Sequence, residues 1–289
     1  MKKMMLIGGL FLSVLQMNAQ DTTLIHVNPL PTTEVSTPQF SKPEVYHIKK
    51  GIDIPLTAAG VAWTLYGFTK IYGRDAVPQS EILALNKENV NSFDRSVTDN
   101  YSLKAKAASD KFFYGSQPAP LFLLLDKKIR KDGVKVMLLY LEAMAVTGTI
   151  YTSAAMSANR FRPYAYNPNV PIETRTRGGA RNSFYAGHVA VVGTSTFFMA
   201  KVLSDYHPEM KNKWILYSLA GAATATTAVL RVEAGQHFHT DVMLGALMGT
   251  LSGILVPTFH KNKQVGDRLT ISPNINRGNG GFTAVYRLK

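Results

Sequence analysis

The chain has no cysteine among its 289 residues. Its fold therefore cannot depend on disulfide bonds, and neither a thiol nucleophile nor a thiolate metal site is available to it. Enzymes that attack with cysteine and zinc proteins with thiolate ligands are excluded. Stability has to come from a packed core, and a chain of this length can bury a substantial one as a single large domain.

Acidic residues are also scarce, since 19 Asp and Glu stand against 32 Lys and Arg, a formal net charge of +13. Such a balance suits a nucleic-acid surface, attraction to anionic lipid, or a preference for anionic substrates. The lysines are dispersed rather than interleaved with aromatic residues, and the N-terminus is typical of an exported protein, so we expect no nucleic acid partner. The surface is compatible with phosphate esters and with anionic membranes.

The N-terminus has the pattern of a secretory signal peptide. Lys2 and Lys3 precede an apolar stretch at residues 4–15, and the small residue Ala19 follows. That order is typical of a cleaved export signal. The apolar stretch is shorter than the roughly 20 residues that a membrane-spanning helix needs. We therefore predict a signal peptide over residues 1–20 and an exported protein, either membrane-associated or soluble in the periplasm.

Composition divides the remainder into three parts. Residues 21–50 are polar and contain four prolines, which predicts an irregular leader. Residues 51–257 contain the long apolar segments and are predicted to form one helical domain. Residues 258–289 form a basic tail, in which apolar and polar residues alternate on both sides of the glycine-rich stretch 278–281, a pattern that predicts a β-hairpin.

The helical domain contains six apolar segments of helical length. They are rich in Ala, Gly, Leu, Val and Thr, which favours close packing of helices, and they cover residues 54–72, 118–126, 136–158, 187–206, 213–230 and 239–256. The polar stretch 74–117 is expected to hold short helices. Residues 164–182 contain three arginines together with Pro and Gly, so we predict a cationic loop there. We expect this loop to lie beside the candidate catalytic residues.

One run, Arg231 to Asp241, carries the most specific chemical signal. His237 and Asp241 are four residues apart, so on a helix they share one face, and the carboxylate can accept the imidazole N–H. Arg231 precedes them across a turn at Gly235 and can bind an anion in front of the ring. An oriented imidazole beside a fixed cation suits attack on phosphorus. For this triplet alone, a capping Asp beside a surface histidine is an equal alternative.

Two further motifs lie at the ends of apolar segments. Arg160-Phe161-Arg162-Pro163 follows one segment, and Gly187-His188 begins another. Together with the run Arg231 to Asp241, they resemble the motifs of the type 2 phosphatidic acid phosphatase (PAP2) superfamily, which includes class A acid phosphatases and vanadium haloperoxidases. The resemblance covers about residues 50 to 257. It implies an all-α, PAP2-like bundle of about six core helices, here followed by the hairpin-like tail.

The resemblance also implies roles for the motif residues. His237 would be the nucleophile that forms a phosphohistidine, and Asp241 would hold its tautomer. His188 would protonate the leaving group and then activate water. The phosphate would be bound by two arginine side chains and one backbone N–H, those of Arg162, Arg231 and Gly187. No metal and no cofactor are implied.

The chain departs from the family pattern at two positions. Ala155 stands where the family has lysine, seven residues before Arg162, and Ala186 stands where the second motif has serine. Arg160 or Arg181 is a candidate for the missing cation. Losing one charge-assisted contact costs about 1.5–3 kcal/mol, so we expect a weakened site rather than an inactive one.

The sequence gives conflicting signals about the membrane. Several segments are near spanning length, but two contain Glu142 or Lys201, and the mean hydropathy of −0.02 is low for six spans. The basic cluster 127–135 favours the cytoplasmic side, which puts the motif residues outside. If the two predicted helices before this cluster also cross the membrane, residue 50 lies on the cytoplasmic side. A cleaved signal peptide would instead leave residue 50 outside the cytoplasm. Either an early helix does not cross, or the bundle is periplasmic; we favour membrane association.

The predicted function is a metal-independent phosphatase acting on phosphate mono- or diphosphate esters. A phosphorylated lipid fits a site at a membrane, and a small phosphate ester fits a soluble periplasmic acid phosphatase. A vanadium haloperoxidase and a non-catalytic protein that binds phospholipid are the remaining alternatives. The sequence does not indicate an oligomeric state.

Overall fold

The structure is a computed structural model that describes residues 44–262, 269–276 and 279–286. The predicted signal peptide and residues 21–43 of the predicted leader lie outside the described residues. All the described residues belong to one compact unit, Pro43–Lys289. Residues 44–49, before the first helix, form no helix, and Tyr46 makes an isolated antiparallel bridge with Lys261.

Six long helices make up the described bundle. They are α1 (Lys50–Tyr72), α2 (Leu103–Ser116), α3 (Gly133–Ser157), α4 (Gly187–Tyr206), α5 (Lys213–Glu233) and α6 (His239–His260). Shorter α-helices cover Gln79–Leu83, Ser92–Arg95, Lys127–Lys131, Pro163–Tyr166 and Ile172–Arg175. Turns of 3₁₀-helix cover Lys87–Asn89, Ser96–Asp99, Ala119–Leu125 and Gly178–Arg181. The predicted all-α fold is confirmed.

The predicted tail hairpin is present as well. Strands β1 (Leu269–Asn276) and β2 (Asn279–Tyr286) pair in antiparallel register. Leu269 lies opposite Tyr286, and Asn276 lies opposite Asn279. The connection is therefore shorter than the predicted turn at 278–281, because residues 279–281 already belong to β2.

Five of the six predicted helices form close to their predicted bounds, and the sixth does not. Residues 118–126 were expected to be α-helical, but Ala119–Leu125 is a 3₁₀-helix. The long helix α2 instead arises in the polar stretch 74–117, where only short helices were expected, and the Ser102 side chain caps it by accepting from the Ala105 N–H at 3.2 Å.

Helix α4 lies at the centre of the bundle and runs parallel to α6. The two helices approach closely because α6 has a row of glycines, Gly245, Gly249 and Gly253, on the face toward α4. A Cβ at Gly249 would lie 2.2 Å from the carbonyl oxygen of Ala190. Helices α1 and α3 are parallel too, as shown by contacts of Gly60 with Ala145 and of other pairs farther along both helices. Small residues thus set the distances between the helix axes.

These helix directions give the bundle two distinct ends. Helices α3 and α5 end where α4 and α6 begin, and this end carries the motif residues. The start of α1 lies at the other end, where the His47 N–H donates to the His260 carbonyl at 2.8 Å. Lys135 also pairs there with Glu44, at 2.7 Å. Residues 44–50 and the motif residues therefore lie at opposite ends of the bundle.

Part of the outer surface is apolar enough to contact lipid. Helices α3, α5 and α6 are each long and apolar enough to cross a bilayer. On α6, every fourth residue is an exposed large apolar side chain, forming a stripe of Met243, Leu247, Leu251, Leu255 and Phe259. This stripe lies on a different face from the glycine row. The protein is membrane-associated.

Candidate active site

His237 occupies a buried position between α5 and α6. Its Nδ1 lies 2.6 Å from the backbone carbonyl oxygen of Ser183. A carbonyl oxygen only accepts, so Nδ1 carries the hydrogen and Nε2 keeps its lone pair. Within the part of the chain that the structure describes, Nε2 has no hydrogen-bond partner. The imidazole is thus fixed in the tautomer that a nucleophile attacking through Nε2 requires.

The surroundings also keep His237 uncharged. Burial lowers the pKa of His237 well below its usual value, and the nearby positive charges of Arg162 and Arg231 lower this pKa further. A neutral imidazole is the nucleophilic form. The two features together leave an unprotonated nitrogen on a ring that lies close to two cationic side chains.

The expectation that His237 and Asp241 share a helix face is wrong. Helix α6 begins at His239, so His237 precedes the helix and its N-cap, Phe238. The chain reaches this position through a turn at Gly235, whose φ of +66° favours glycine. A Cβ there would also lie 2.1 Å from the Asn100 carbonyl oxygen. Spacing of four residues therefore does not bring this imidazole and this carboxylate together.

Asp241 instead reaches His237 through Ser183. The Asp241 carboxylate accepts from the Ser183 hydroxyl at 2.6 Å and from the Phe238 N–H at 3.0 Å. No hydrogen bond or ion pair joins it to His237 among the described residues. Ser183 thus bonds Asp241 with its hydroxyl and His237 with its carbonyl oxygen, and it links the two groups that were expected to touch.

Arg160 is not in the position expected of a substitute cation. Its guanidinium donates to Asp241 at 2.5 Å and to Asp94 at 2.7 Å, and it lies over the Phe238 ring. Asp94 is fully buried and also accepts from the Thr240 hydroxyl. These bonds hold the start of α6 in place. Arg160 is therefore a structural partner of the site rather than a residue facing the phosphate position.

Arg181, the other candidate substitute, is also engaged elsewhere. It forms an ion pair with Glu81 and lies over the Phe161 ring. Arg175, in the same predicted cationic loop, is buried and donates to the Ala165 carbonyl oxygen at 2.8 Å. The loop prediction also missed the short helices that this segment contains. Two of its three arginines therefore serve to fold the segment.

Arg162 and Arg231 retain unused donors close to His237. Arg162 donates through Nε to Gly179 and through Nη1 to Gln236, and its Nη2 has no partner among the described residues. Arg231 is 2% exposed, and its Nε is buried without a partner in the described chain. Two guanidinium groups with free N–H donors, one of them buried, form a site for an anion.

His188 pairs with a carboxylate that the sequence did not single out for this role. Its Nε2 lies 3.1 Å from Asp110 on α2, and the same carboxylate oxygen lies 3.1 Å from Arg231 Nη1. The Phe113 ring stacks on the imidazole at 4.2 Å. An ionised carboxylate only accepts, so Nε2 carries a hydrogen and Nδ1 is left without a described partner.

Gly187 is required here for a different reason than expected. A Cβ at Gly187 would lie 2.8 Å from the ring of Tyr151, so the position has no room for a side chain. Gly187 is also the first residue of α4, and this helix has no side-chain cap at Ala186. The uncapped N–H groups at a helix N-terminus favour a bound anion.

Five of the seven predicted site residues therefore surround one position. His237 interacts electrostatically with both arginines and with His188, and Gly187 adjoins His188. Asp241 and Arg160 lie behind His237. No cluster of three or more His, Asp or Glu suited to a metal ion occurs in the described residues.

Comparison with known proteins identifies the family. Residues 136–264, which include every motif residue above, match the model of the PAP2 superfamily. This part of the chain belongs to the PAP2 superfamily. This matched part carries the motif residues of a PAP2-type phosphatase, spread over α3 to α6 and the loops between them.

Two solved structures resemble the chain. One is LpxE from Aquifex aeolicus, with 22% identity and a TM-score of 0.40, covering 57% of this chain and 92% of that one. The other is a transmembrane PAP2-type phosphatidylglycerolphosphate phosphatase from Bacillus subtilis, with 19% identity and a TM-score of 0.42, covering 72% and 94%. No curated protein matches the chain.

Proposed function

We propose that the protein hydrolyses phosphate mono- or diphosphate esters, in particular lipid-linked ones, through a phosphohistidine on His237 and without a metal ion. The observation that carries this proposal is the state of His237. Its imidazole is buried and uncharged, its Nδ1 hydrogen is held by Ser183, its Nε2 is free, and two arginines with unused donors interact with the ring. The proposed phosphatase domain covers residues 51–257, with 258–289 as a basic tail.

In the first step, the Nε2 lone pair of His237 attacks phosphorus. A nitrogen–phosphorus bond forms while the bond from phosphorus to the leaving oxygen breaks. Protonated His188 donates its Nδ1 proton to that oxygen, which leaves as an alcohol or a phosphate. The Ser183 carbonyl accepts from Nδ1 of His237 throughout, and it stabilises the positive charge that develops on the ring.

In the second step, water hydrolyses the phosphohistidine. His188 is now neutral, with its hydrogen on Nε2 toward Asp110, so Nδ1 can accept a proton from the attacking water. The oxygen of that water bonds to phosphorus, and the nitrogen–phosphorus bond breaks. Inorganic phosphate leaves, His237 regains its lone pair, and His188 regains the proton that it donated in the first step.

Arg162 and Arg231 would bind the non-bridging oxygens during both steps. Their free N–H groups supply fixed positive charge where charge accumulates in the transition state. Asp110 holds Arg231 from the far side, and Gln236 holds Arg162, so neither guanidinium has to reorganise. Fixed cations of this kind stabilise the transition state without a metal.

A lipid-linked substrate is favoured by the surface of the bundle. The exposed apolar stripe on α6 begins close to His237, since its first member, Met243, lies one turn into the helix. A lipid chain along the stripe would leave its phosphate near the start of α6. We further propose that the site faces the periplasm, because the exposed basic residues of segment 127–131 lie at the opposite end.

The proposal is tested by phosphate release from purified protein in detergent. p-Nitrophenyl phosphate and a phosphatidate micelle are the substrates, each with and without EDTA. We expect turnover that resists EDTA, that is lost in His237→Ala, and that yields an acid-labile, alkali-stable phosphoprotein after rapid quenching. Turnover that persists in His237→Ala would overturn the proposal, and so would binding of phosphatidate without any turnover.

A further inference from the structure

The site lacks one phosphate-binding group, and the structure shows no cation in its place. Ala155 is buried, and Arg74 uses one guanidinium nitrogen to donate to its carbonyl oxygen at 2.7 Å. Arg74 also donates to Asn182, at 2.7 Å. Arg160 and Arg181 are paired with carboxylates instead, so each of these guanidinium groups is engaged by the protein.

One helical turn before Ala155, Tyr151 lies on the same side of α3. Its ring is so close to Gly187 that a Cβ there would meet Cε2 at 2.8 Å and Cζ at 2.9 Å. Cζ is the carbon that carries the hydroxyl. The phenol hydroxyl is therefore attached beside the residue that begins α4 and precedes His188.

The ring of Tyr151 is held in place, but its hydroxyl is not used by the protein. Tyr185 packs edge-on against the ring at 5.6 Å, and Phe68 packs at a tilt at 6.3 Å. Within the described residues, the hydroxyl has no hydrogen-bond partner. The phenol nevertheless interacts electrostatically with Arg162, Arg231 and Arg74, so it lies close to the two arginines that retain unused donors.

We propose that the Tyr151 hydroxyl donates a hydrogen bond to a non-bridging oxygen of the bound phosphoryl group and so takes the place of the missing cation. This inference rests on the proposed phosphatase function. A phenol hydroxyl can donate to a phosphoryl oxygen without adding a further positive charge beside Arg162 and Arg231. The rigid ring fixes the direction of the donor, as a long lysine side chain would not.

The test is Tyr151→Phe, which removes the hydroxyl and keeps the packed ring. A hydrogen bond to a charged group changes binding about tenfold or more, so kcat/KM for p-nitrophenyl phosphate should fall by about that factor. Competitive inhibition by inorganic phosphate should weaken in parallel. The thermal unfolding midpoint should stay at the wild-type value, since no protein hydrogen bond is lost.

The matched control is Tyr185→Phe. Tyr185 packs directly on Tyr151, and its hydroxyl is buried with no partner among the described residues, so its removal should leave kcat/KM and phosphate inhibition unchanged. Tyr72→Phe tests the other phenol that interacts with both arginines. The inference is overturned if Tyr151→Phe has wild-type kinetics, or if the loss appears only in Tyr72→Phe.

These outcomes are separable from failure of the proposed function. If His237→Ala is inactive while Tyr151→Phe equals wild type, the phosphatase proposal stands and only the role of Tyr151 fails. If His237→Ala retains turnover, the mechanism itself fails, whatever Tyr151→Phe does.

Discussion

Asp110 connects two groups that the proposed reaction uses differently. It lies between His188, which must gain and lose a proton, and Arg231, which must stay charged. The hydrogen bond from His188 holds the pKa of Asp110 at about 2, so the carboxylate is ionised above that pH. Burial and the charge of Arg231 together lower the pKa of His188 to about 4, although the Asp110 carboxylate opposes both.

Asp110→Asn should therefore shift the pH dependence of catalysis. Without the carboxylate charge, the pKa of His188 falls further, because burial and Arg231 act unopposed. His188 has to be protonated to act as the acid, so the alkaline limb of kcat/KM should move to lower pH. A pH series with p-nitrophenyl phosphate measures this, with Glu209→Gln as a control at the far end of the bundle. Coincident profiles for all three proteins would contradict the role of Asp110.

The candidate site could be predicted from sequence where single motifs mark it. His237, His188 and the two arginines come together as the motif pattern indicates. The partners of the two histidines could not be predicted in the same way. Asp110 is distant from His188 in the chain, and the acceptor for His237 is a backbone carbonyl, which every residue has. The supposed i,i+4 pairing failed because Gly235 turns the chain before α6 begins.

The glycine row of α6 determines how closely α6 and α4 approach. Gly245, Gly249 and Gly253 each face a carbonyl oxygen of α4 or of the residue before it. Helix α4 carries His188, and His237 directly precedes α6, so the separation of these helices also fixes the separation of the two histidines. The contacts that pack α4 against α6 therefore also position His188 and His237.

Gly249→Ala should separate α4 from α6. The added Cβ would lie 2.2 Å from the Ala190 carbonyl oxygen, so backbone has to move. Overpacking of this kind destabilises by about 1–3 kcal/mol, and kcat should fall as the two histidines move apart. Thermal unfolding in detergent and phosphatase assays measure both effects. Gly115→Ala, where no heavy atom lies near the added Cβ, is the control, and equal losses in both variants would refute the packing argument.

Most helices were predictable because their apolar composition is continuous over helical length. Helix α2 was not, because Lys104, Lys106 and Lys111 give it the composition of a solvent-exposed segment. The 3₁₀-helix Ala119–Leu125 has the opposite property, an apolar composition without an α-helical backbone. Hydrophobicity therefore predicted the positions of the buried helices, but it did not distinguish an α-helix from a 3₁₀-helix.

For the molecule as a whole, the two charged residues that argued against membrane crossing both have polar neighbours inside the protein. Lys201 forms an ion pair with Asp205, and Glu142 lies 3.5 Å from His260 Nε2. Placing a charged side chain within the bilayer costs much less free energy when it has a polar partner than when it is isolated. The polar connections that build the site also lower the mean hydropathy of the chain. A low average therefore does not exclude a membrane-embedded bundle.

The absence of native cysteine makes the orientation directly testable. Glu173 lies in the connection that precedes the start of α4, Lys211 lies just before α5, and both are exposed. In spheroplasts, a membrane-impermeant maleimide should label Glu173→Cys, and it should label Lys211→Cys only after permeabilisation. That result would place residues 44–50 inside the cell, where a cleaved signal peptide could not leave them. Equal labelling of both positions would show that the bundle does not cross the membrane.

The bond that orients His237 is made by the main chain of Ser183, and this has an evolutionary consequence. No amino-acid substitution deletes a peptide carbonyl, so the tautomer of His237 is insulated from point mutation at position 183. The serine hydroxyl has no such protection. Mutations that replace this serine would remove the hydrogen bond to Asp241 and would leave the imidazole oriented. Activity would therefore decline gradually rather than disappear in one mutational step.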